Sequence, residues 1–316
     1  MRVGVLTSGG DAPGMNTFIE RFFRLCKKNN IEVFAVRKGF QGLIDDEIDV
    51  LEEKEVKNIG HLGGSALKCF RSEEFKTSKG FKKAVANVFK HQIDVLIGIG
   101  GNGTFVGLEH LSKAGVSVIA VPATIDNDLF FSEHSLGFDT ALNNAVEAID
   151  KIKQTMDSAG RAFAVEVMGR ECSSLAVNSF LAANGDFLIT SDVPFCYDTL
   201  KKQIKLALKQ NKDFAPVVIV QENCVKIFDL VKDLQNDLDI EFRANILGYV
   251  QRGGSPSVFD RIFALKLAVY CLSLLKDGKK NRAIGEKCNV VFDCGIDEVE
   301  DLTRKIDNNL INFLQN

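Results

Sequence analysis

The chain has 316 residues, more than one average domain, and 46% of them are hydrophobic, which is ample for two packed cores. A formal net charge of −3 gives no general attraction to nucleic acid or to an anionic membrane. The eight cysteines form no Cys-x-x-Cys pair, no signal-like segment precedes the first predicted strand, and no apolar run reaches the ~20 residues of a transmembrane helix. We therefore expect a globular cytoplasmic protein with reduced thiols and with no nucleic-acid or membrane partner.

Short β-like runs alternate with longer helical periodicities in the first half of the chain. The predicted elements are a strand over 3–6, a helix over about 15–28, strands over 33–36 and 95–99, a helix from Thr104, and a strand over 118–121. The charged segment 45–57 predicts a solvated connection. Such alternation is typical of a parallel α/β sheet.

A second α/β stretch follows a long helix that begins near Gly137. Its predicted strands cover 163–167, 187–189, 217–220 and 246–250, and its predicted helices include one over about 259–275 and one from residue 297. We therefore predict the α/β fold class, with two Rossmann-like halves, largely parallel sheets and an active-site cleft between the halves. The larger domain would span 1–137 with part of 250–316, and the smaller domain would span 138–249.

Three glycine- or aspartate-rich runs each follow a predicted strand. They are residues 7–16 (TSGGDAPGMN), 100–104 (GGNGT) and 122–128 (PATIDND). Backbone amides of the first two runs can gather at the carboxyl edge of a parallel sheet, where glycines let a phosphate approach closely. Thr104 offers a hydroxyl at the start of a helix. Alone, this pattern indicates only a site for nucleotide phosphates.

The third run adds two carboxylates, Asp126 and Asp128. Phosphoryl transfer needs one group that accepts a proton and another that holds magnesium. Asp-Asn-Asp is also good turn chemistry, so the pair has a purely structural interpretation as well. Four arginines beside a strand end or a glycine, Arg161, Arg170, Arg243 and Arg252, suggest a site for a second phosphate, that of an acceptor.

Taken in order, these motifs closely resemble those of the bacterial ATP-dependent 6-phosphofructokinases, along nearly the full length. The resemblance rests on the three runs, on residues 165–170 (VEVMGR) and on residues 247–256 (LGYVQRGGSP). It implies transfer of the γ-phosphoryl group of ATP to the 1-hydroxyl of fructose 6-phosphate, with Mg²⁺ as cofactor. It also implies a glycolytic homotetramer whose active site lies at a subunit interface.

The resemblance further implies a role for each matching residue. Asp126 would be the general base, Thr124 would lie by the transferring group, and Asn102 and Asp128 would hold the metal. Arg71 and Arg170 would offset charge in the transition state. The ATP side would comprise Gly9, Arg71, Ser72, Asn102, Gly103, Thr104 and Gly107. The sugar side would comprise Thr124, Asp126, Asp128, Met168, Gly169, Arg170, Glu222, Tyr249 and Arg252, with Arg161 and Arg243 from a neighbouring subunit.

The chain departs from the family at several of these places. Asn102 replaces the usual aspartate, Tyr249 replaces a histidine, and Lys68-Cys69 replace a small pair before Arg71. At two arginine positions of the family's effector site the chain carries Glu20 and Glu47, so we expect the usual regulation to be absent.

Two alternative functions share parts of this pattern. Pyrophosphate-dependent relatives carry aspartate at the position of Gly103 and lysine at that of Ala123, so the sequence argues against them.

A catalytically weakened or regulatory paralogue that binds sugar phosphate is favoured by Asn102 and Tyr249. It is opposed by the retained Thr124, Asp126, Asp128 and Arg170.

Overall fold

The predicted alternation of strands and helices is present in a computed structural model, which describes residues 1–129, 131–211 and 214–299. The chain divides into two units. The first comprises Met1–Thr140 and the chain from Arg252 to the end of the described part, and the second comprises Ala141–Gln251. Nearly all of the helix predicted from residue 297 lies outside the described residues.

The elements follow one another in a regular order. From the first residue to residue 159 they are β1 (Arg2–Thr7), α1 (Met15–Lys28), β2 (Glu32–Val36), α2 (Phe40–Asp45), β3 (Ile48–Val50), α3 (Glu53–Val56), α4 (Ser78–Lys90), β4 (Val95–Gly100), α5 (Asn102–Lys113), β5 (Val118–Pro122) and α6 (Phe138–Ala159). There follow β6 (Ala162–Val167), α7 (Ser174–Ala182), β7 (Phe187–Ile189), α8 (Tyr197–Gln210), β8 (Val217–Gln221), α9 (Ile227–Leu238), β9 (Phe242–Ile246), α10 (Val258–Lys276), β10 (Arg282–Lys287) and β11 (Val290–Gly295).

The first unit is built on a seven-stranded sheet in the order β11-β10-β5-β4-β1-β2-β3. The five inner strands run parallel, and β3 and β11 pair antiparallel at the two edges. The central strands β1, β4 and β5 read as nearly continuous apolar runs because helices cover both faces of a parallel sheet. Their carboxyl ends therefore lie side by side at one edge of the sheet.

Helix α1 shows how the sequence sets a local element. Gly14 precedes it with φ of +99°, a left-handed conformation that glycine adopts without penalty. Phe18, Phe22 and Cys26 recur at a spacing of four and are all buried, with the two rings stacked 5.6 Å apart. This apolar face packs against α10.

The second unit has a four-stranded parallel sheet in the order β7-β8-β6-β9. Apolar residues of these strands form two cores, one with α6 and α7 and one with α8 and α9. The fold class predicted from the sequence, α/β with largely parallel sheets, is confirmed.

Two local predictions were wrong. The predicted strand over 246–250 is largely a 3-10 helix, Gly248–Arg252, and the strand before it ends at Ile246. Gly248 has φ of +51°, and Tyr249 is 84% exposed, so the apolar residues of this segment do not form a buried strand. Segment 45–57 is more than a solvated connection, since it contains β3 and α3, with Val56 buried.

None of the helices in the described part of the chain has both the length and the apolar character needed to cross a membrane.

Candidate functional site

The three glycine- and aspartate-rich runs meet at the carboxyl edge of the first sheet. The backbone N–H of Ser8 donates to the carbonyl oxygen of Ile99 (3.1 Å), and that of Ala123 donates to the carbonyl oxygen of Gly100 (2.9 Å). The hydroxyl of Thr104 donates to the carbonyl oxygen of Ser8 (3.2 Å). Thr104, the last residue of the second run, is buried, and its hydroxyl joins that run to the first.

Glycines in the second run allow a close backbone approach. A Cβ at Gly100 would lie 2.2 Å from the hydroxyl oxygen of Thr104 and 2.6 Å from the carbonyl oxygen of Ser8, so no other residue fits. A Cβ at Gly103, in the first turn of α5, would meet no atom of the described residues within 4 Å. The space beside the first turn of α5 is therefore open at Gly103, and the amino terminus of a helix attracts phosphate.

Asn102 and Asp128 contact each other across two of the runs. The Nδ2 atom of Asn102 lies 2.9 Å from Oδ2 of Asp128 and 3.3 Å from its carbonyl oxygen. The two ends of a side-chain amide differ only in which atom is nitrogen and which is oxygen. If a metal binds, the Asn102 amide would turn over so that its oxygen faces the ion. A carboxylate and an amide oxygen so close together suit a hard divalent cation.

Within residues 1–129, 131–211 and 214–299, no group of three or more His, Cys, Asp or Glu could hold a metal ion. A divalent ion at Asn102 and Asp128 would therefore depend on phosphate and water oxygens for its remaining ligands. That division of ligands is usual for Mg²⁺ in phosphoryl-transfer sites.

Asp126 lies in the third run and is only 3% exposed. Its backbone N–H donates to the hydroxyl of Thr124 (3.2 Å), which bends the chain between these two residues. The next residue, Asn127, has φ of +49°. The carboxylates of Asp126 and Asp128 thus flank a residue in the left-handed conformation, which Asn tolerates better than most residues.

Arg252 lies against the first run. Its Nη2 atom donates to the carbonyl oxygen of Asp11 (2.6 Å), and its side chain pairs with the Asp11 carboxylate at 3.5 Å. A Cβ at Gly10 would lie 1.9 Å from Nη2 of this guanidinium, so any other residue there would displace the end of the Arg252 side chain. Arg252 thereby adds a buried positive charge beside Gly9 and Gly10.

Three further residues are expected on the ATP side. Gly107, within α5, faces the ring of Phe40, which a Cβ would approach to 2.5 Å. The hydroxyl of Ser72 donates to Oε1 of Gln41 (2.6 Å) and accepts from the N–H of Phe75. Arg71 is exposed. The structure thus gives Gly107 and Ser72 roles in packing and in capping.

In the second unit a turn after β6 carries Met168, Gly169 and Arg170. The Oε1 atom of Glu222 accepts from the backbone N–H of Gly169 (2.9 Å) and of Arg170 (2.7 Å). Gly169 has φ of +139° and Arg170 has φ of +49°. Burial, together with repulsion from Glu222, raises the pKa of the neighbouring Glu166. Glu222 therefore shapes the turn that presents Arg170.

The remaining expected residues of this unit lie near β9. Glu241 accepts from Arg161 at 2.6 Å and also binds Arg243, and these contacts lower the pKa of its carboxyl. Tyr249 is almost fully exposed. Sequence reasoning missed Glu241, which directly precedes β9 and lies two residues before Arg243, the spacing that puts two side chains on the same side of an extended chain.

The two expected effector positions are engaged in ion pairs. Glu20 is buried, pairs with Arg24 at 2.5 Å and accepts from the N–H of Gly60 at 2.7 Å. Glu20 lines a cavity of about 350 Å³, and Arg21 and His61 also line it. Glu47 pairs with Lys38 at 2.6 Å.

The comparisons with known proteins decide the family. The phosphofructokinase family model matches residues 2–275. The chain belongs to the phosphofructokinase family.

Family members named ATP-dependent 6-phosphofructokinase are similar to this chain over almost their whole length. The enzyme of Clostridioides difficile is 40% identical over 296 residues, which are 94% of this chain and 92% of that protein. The enzyme of Bacillus subtilis is 36% identical over 309 residues, which are 98% of this chain and 97% of that protein.

Solved structures of the family share the fold. Phosphofructokinase of Saccharomyces cerevisiae gives a TM-score of 0.84 at 27% identity, over 94% of this chain and 45% of that longer chain. A pyrophosphate-dependent phosphofructokinase of Marinobacter aquaeolei gives a TM-score of 0.87 at 17% identity, over 98% of this chain and 86% of that chain. The second likeness shows the fold alone.

Proposed function

We propose that this protein is an ATP-dependent 6-phosphofructokinase, which phosphorylates the 1-hydroxyl of fructose 6-phosphate to give fructose 1,6-bisphosphate. The observation that carries the proposal is a single sheet edge with three features. They are the open space beside Gly103 in the first turn of α5, the buried residue Asp126, and the contact between Asn102 and Asp128. The names of the bacterial relatives support the same reaction.

ATP is the proposed donor. The open space at Gly103 suits a nucleotide triphosphate, and an aspartate there would repel its phosphates. Ala123 stands where pyrophosphate-dependent relatives carry a lysine, so this chain lacks the residue that is typical of a pyrophosphate donor site. The names of the relatives support an active kinase over the alternative, a weakened or regulatory paralogue.

In the proposed mechanism Asp126 accepts the proton of the sugar 1-hydroxyl as the hydroxyl oxygen attacks the γ-phosphorus of ATP. Asp126 is buried and Thr124 holds its backbone, so the base is positioned before the substrate binds. The amides near Gly9 and Gly103 would bind the phosphates. Arg71 and Arg170 would offset negative charge that develops on the transferring group.

Phosphofructokinases are phosphotransferases that need a divalent metal, and we propose Mg²⁺ for this chain. When bound, it would neutralise charge on the phosphate oxygens. Asn102 and Asp128 would hold it, and the donor types present fit that ion.

The sugar phosphate would be bound by Met168, Gly169, Arg170, Glu222, Tyr249 and Arg252. We further propose that the enzyme is a homotetramer in which Arg161 and Arg243 of one subunit serve the substrate of another. Both arginines would have to share their charge between Glu241 and the phosphate.

A coupled assay tests the proposal. Purified protein with fructose 6-phosphate and magnesium should form fructose 1,6-bisphosphate faster with ATP than with pyrophosphate. Faster turnover with pyrophosphate would reject ATP as the donor. No turnover with either, while sugar phosphate still binds, would support the regulatory paralogue instead.

A further inference from the structure

A neighbouring segment contacts the residue between Asp126 and Asp128. The Nδ2 atom of Asn127, between them, donates to the carbonyl oxygen of Glu133 at 3.1 Å. The hydroxyl of Ser135 lies 3.1 Å from Oδ1 of Asn127 and 2.7 Å from the carbonyl oxygen of Thr124. Segment 132–135 therefore holds the aspartate run through both ends of one side-chain amide.

Segment 132–135 is itself bound to strand β10 and to the residues that follow this strand. The backbone N–H of Glu133 donates to the carbonyl oxygen of Glu286 (2.7 Å), and the N–H of Glu286 donates to the hydroxyl of Ser132 (2.9 Å). The N–H of Cys288 donates to a carboxylate oxygen of Glu133 (2.7 Å). Three hydrogen bonds thus link the hairpin of β10 and β11 to the segment that contacts the aspartate run.

One pair of side chains also joins segment 132–135 to β10. Nδ1 of His134 lies 2.7 Å from Oε2 of Glu286. The Glu286 side chain is only 2% exposed, whereas that of His134 is 39% exposed and its ring lies 5.2 Å from the ring of Phe259. In the tautomer that carries its proton on Nδ1, His134 donates to the Glu286 oxygen. Loss of the imidazole would leave a buried carboxylate without this donor, which is costly.

We propose that Glu286 and His134 are positioning residues for catalysis, because they fix segment 132–135 and, through Asn127, the proton-accepting carboxylate of Asp126. The hairpin at the carboxyl-terminal end of the described chain then controls where the base lies, although its residues follow Asp126 by about 160 positions. This inference rests on the proposed kinase function.

Variants of Glu286 test the proposal by separating kcat from KM. Glu286→Ala should lower kcat by about 10- to 100-fold, since displacing a catalytic group by about 1 Å costs up to 100-fold. The KM for ATP should change less than twofold. Glu286→Gln should restore most of the kcat, because its amide oxygen still accepts from His134. His134→Phe keeps a ring against Phe259, and it should reproduce the loss if Glu286→Ala does not fold.

Asp293 offers a matched control on the same hairpin. Its side chain is 5% exposed, and it contacts Tyr270 and Arg282, which lie outside segment 124–135. Asp293→Asn should lower the melting temperature while kcat stays within twofold. If Glu286→Ala and His134→Phe behave like Asp293→Asn, the pair only stabilises the fold and the proposal is wrong.

Hydrogen exchange supplies a readout that does not depend on activity. Peptides covering 124–135 should exchange faster in Glu286→Ala than in the wild type, and they should be unchanged in Asp293→Asn. Unchanged exchange in Glu286→Ala would overturn the positioning role even if the wild type proved inactive with ATP. If the wild type is inactive but peptides 124–135 still exchange faster in Glu286→Ala, the kinase function is wrong. The contact between the β10–β11 hairpin and the aspartate run then still positions that run.

Discussion

The amide nitrogen of Asn102 lies 2.9 Å from a carboxylate oxygen of Asp128, so an amide occupies the place where the family usually has a second carboxylate. In the metal-free protein this contact is a hydrogen bond, whereas two carboxylates at this distance would repel each other. The asparagine therefore stabilises the metal-free site and removes one negative charge from the proposed Mg²⁺ site.

Restoring that charge should reverse both effects. Asn102→Asp should lower the melting temperature without Mg²⁺ and recover it when Mg²⁺ is added, because the new carboxylate is compensated only by the ion. The half-saturating Mg²⁺ concentration should fall and kcat should rise. Thermal melts with and without Mg²⁺, with a Mg²⁺ titration of activity, measure these changes. Lower activity at saturating Mg²⁺ would show that the surrounding site is adapted to the amide.

Asp126→Ser removes the proposed base. We expect kcat to fall by roughly two or more orders of magnitude, which is the usual contribution of general base catalysis. Binding of ATP and fructose 6-phosphate, measured by calorimetry, should stay nearly unchanged, since the substituted side chain is small and the backbone bond to Thr124 remains possible. Wild-type turnover in this variant would remove Asp126 from its role.

Tyr249→Phe tests whether the exposed hydroxyl contacts the sugar phosphate. Losing one hydrogen bond costs about 1 kcal/mol, so the half-saturating fructose 6-phosphate concentration should rise about fivefold. Tyr249→His should lower it, most visibly near pH 6 where imidazole is partly protonated. Tyr197→Phe is the matched control, because its hydroxyl donates to Asp237 at 3.0 Å and its loss should leave the sugar curve unchanged. An unmoved curve for Tyr249→Phe would exclude the contact.

Phosphoenolpyruvate and ADP should have little effect on the sugar saturation curve. Glu20 already binds Arg24 and the N–H of Gly60, and Glu47 binds Lys38, so an anion meets carboxylates where the family usually has arginines. Without differential binding energy an effector cannot shift a conformational equilibrium. Saturation curves recorded with and without each effector at millimolar concentration measure this, and a strong shift by either one contradicts it.

Stability should depend on pH through Glu166. Burial, followed by repulsion from Glu222, raises its pKa above the ordinary value of 4.5, so the folded state disfavours the ionised carboxyl. The stability that protonation contributes is complete below about pH 4.5 and is lost as the pH rises through the folded-state pKa. Glu166→Gln should therefore raise the melting temperature near neutral pH and have little effect near pH 4.

The exposed Glu147 provides a control of opposite sign. Its hydrogen bond to Lys151 lowers its pKa, so Glu147→Gln should cost a little stability near neutral pH and none well below pH 4.5. Thermal melts of both variants across this range measure the two trends. A Glu166→Gln variant that follows the same trend as Glu147→Gln would contradict the assigned environment.

Sequence patterns predicted much of the fold, because buried parallel strands are continuous apolar runs. Helix α1 begins and ends where the periodicity placed it, and the central strands extend each predicted run by one or two residues. The hairpin of β10 and β11 was not predicted, since Glu286 and Lys287 interrupt its apolar pattern. Nor could the contact between His134 and Glu286 be predicted, because a pair 152 residues apart leaves no local signal.

The contact of Gly107 with the Phe40 ring affects the thermodynamics of nucleotide binding. Phe40 is itself stacked on Phe75 at 4.3 Å, so α5 is fixed by packing before any ligand arrives. Binding of a phosphate at its first turn then requires no ordering of the chain there, which removes one of the main entropic costs of association. The binding entropy at this end of the helix should come mainly from released water rather than from lost backbone freedom.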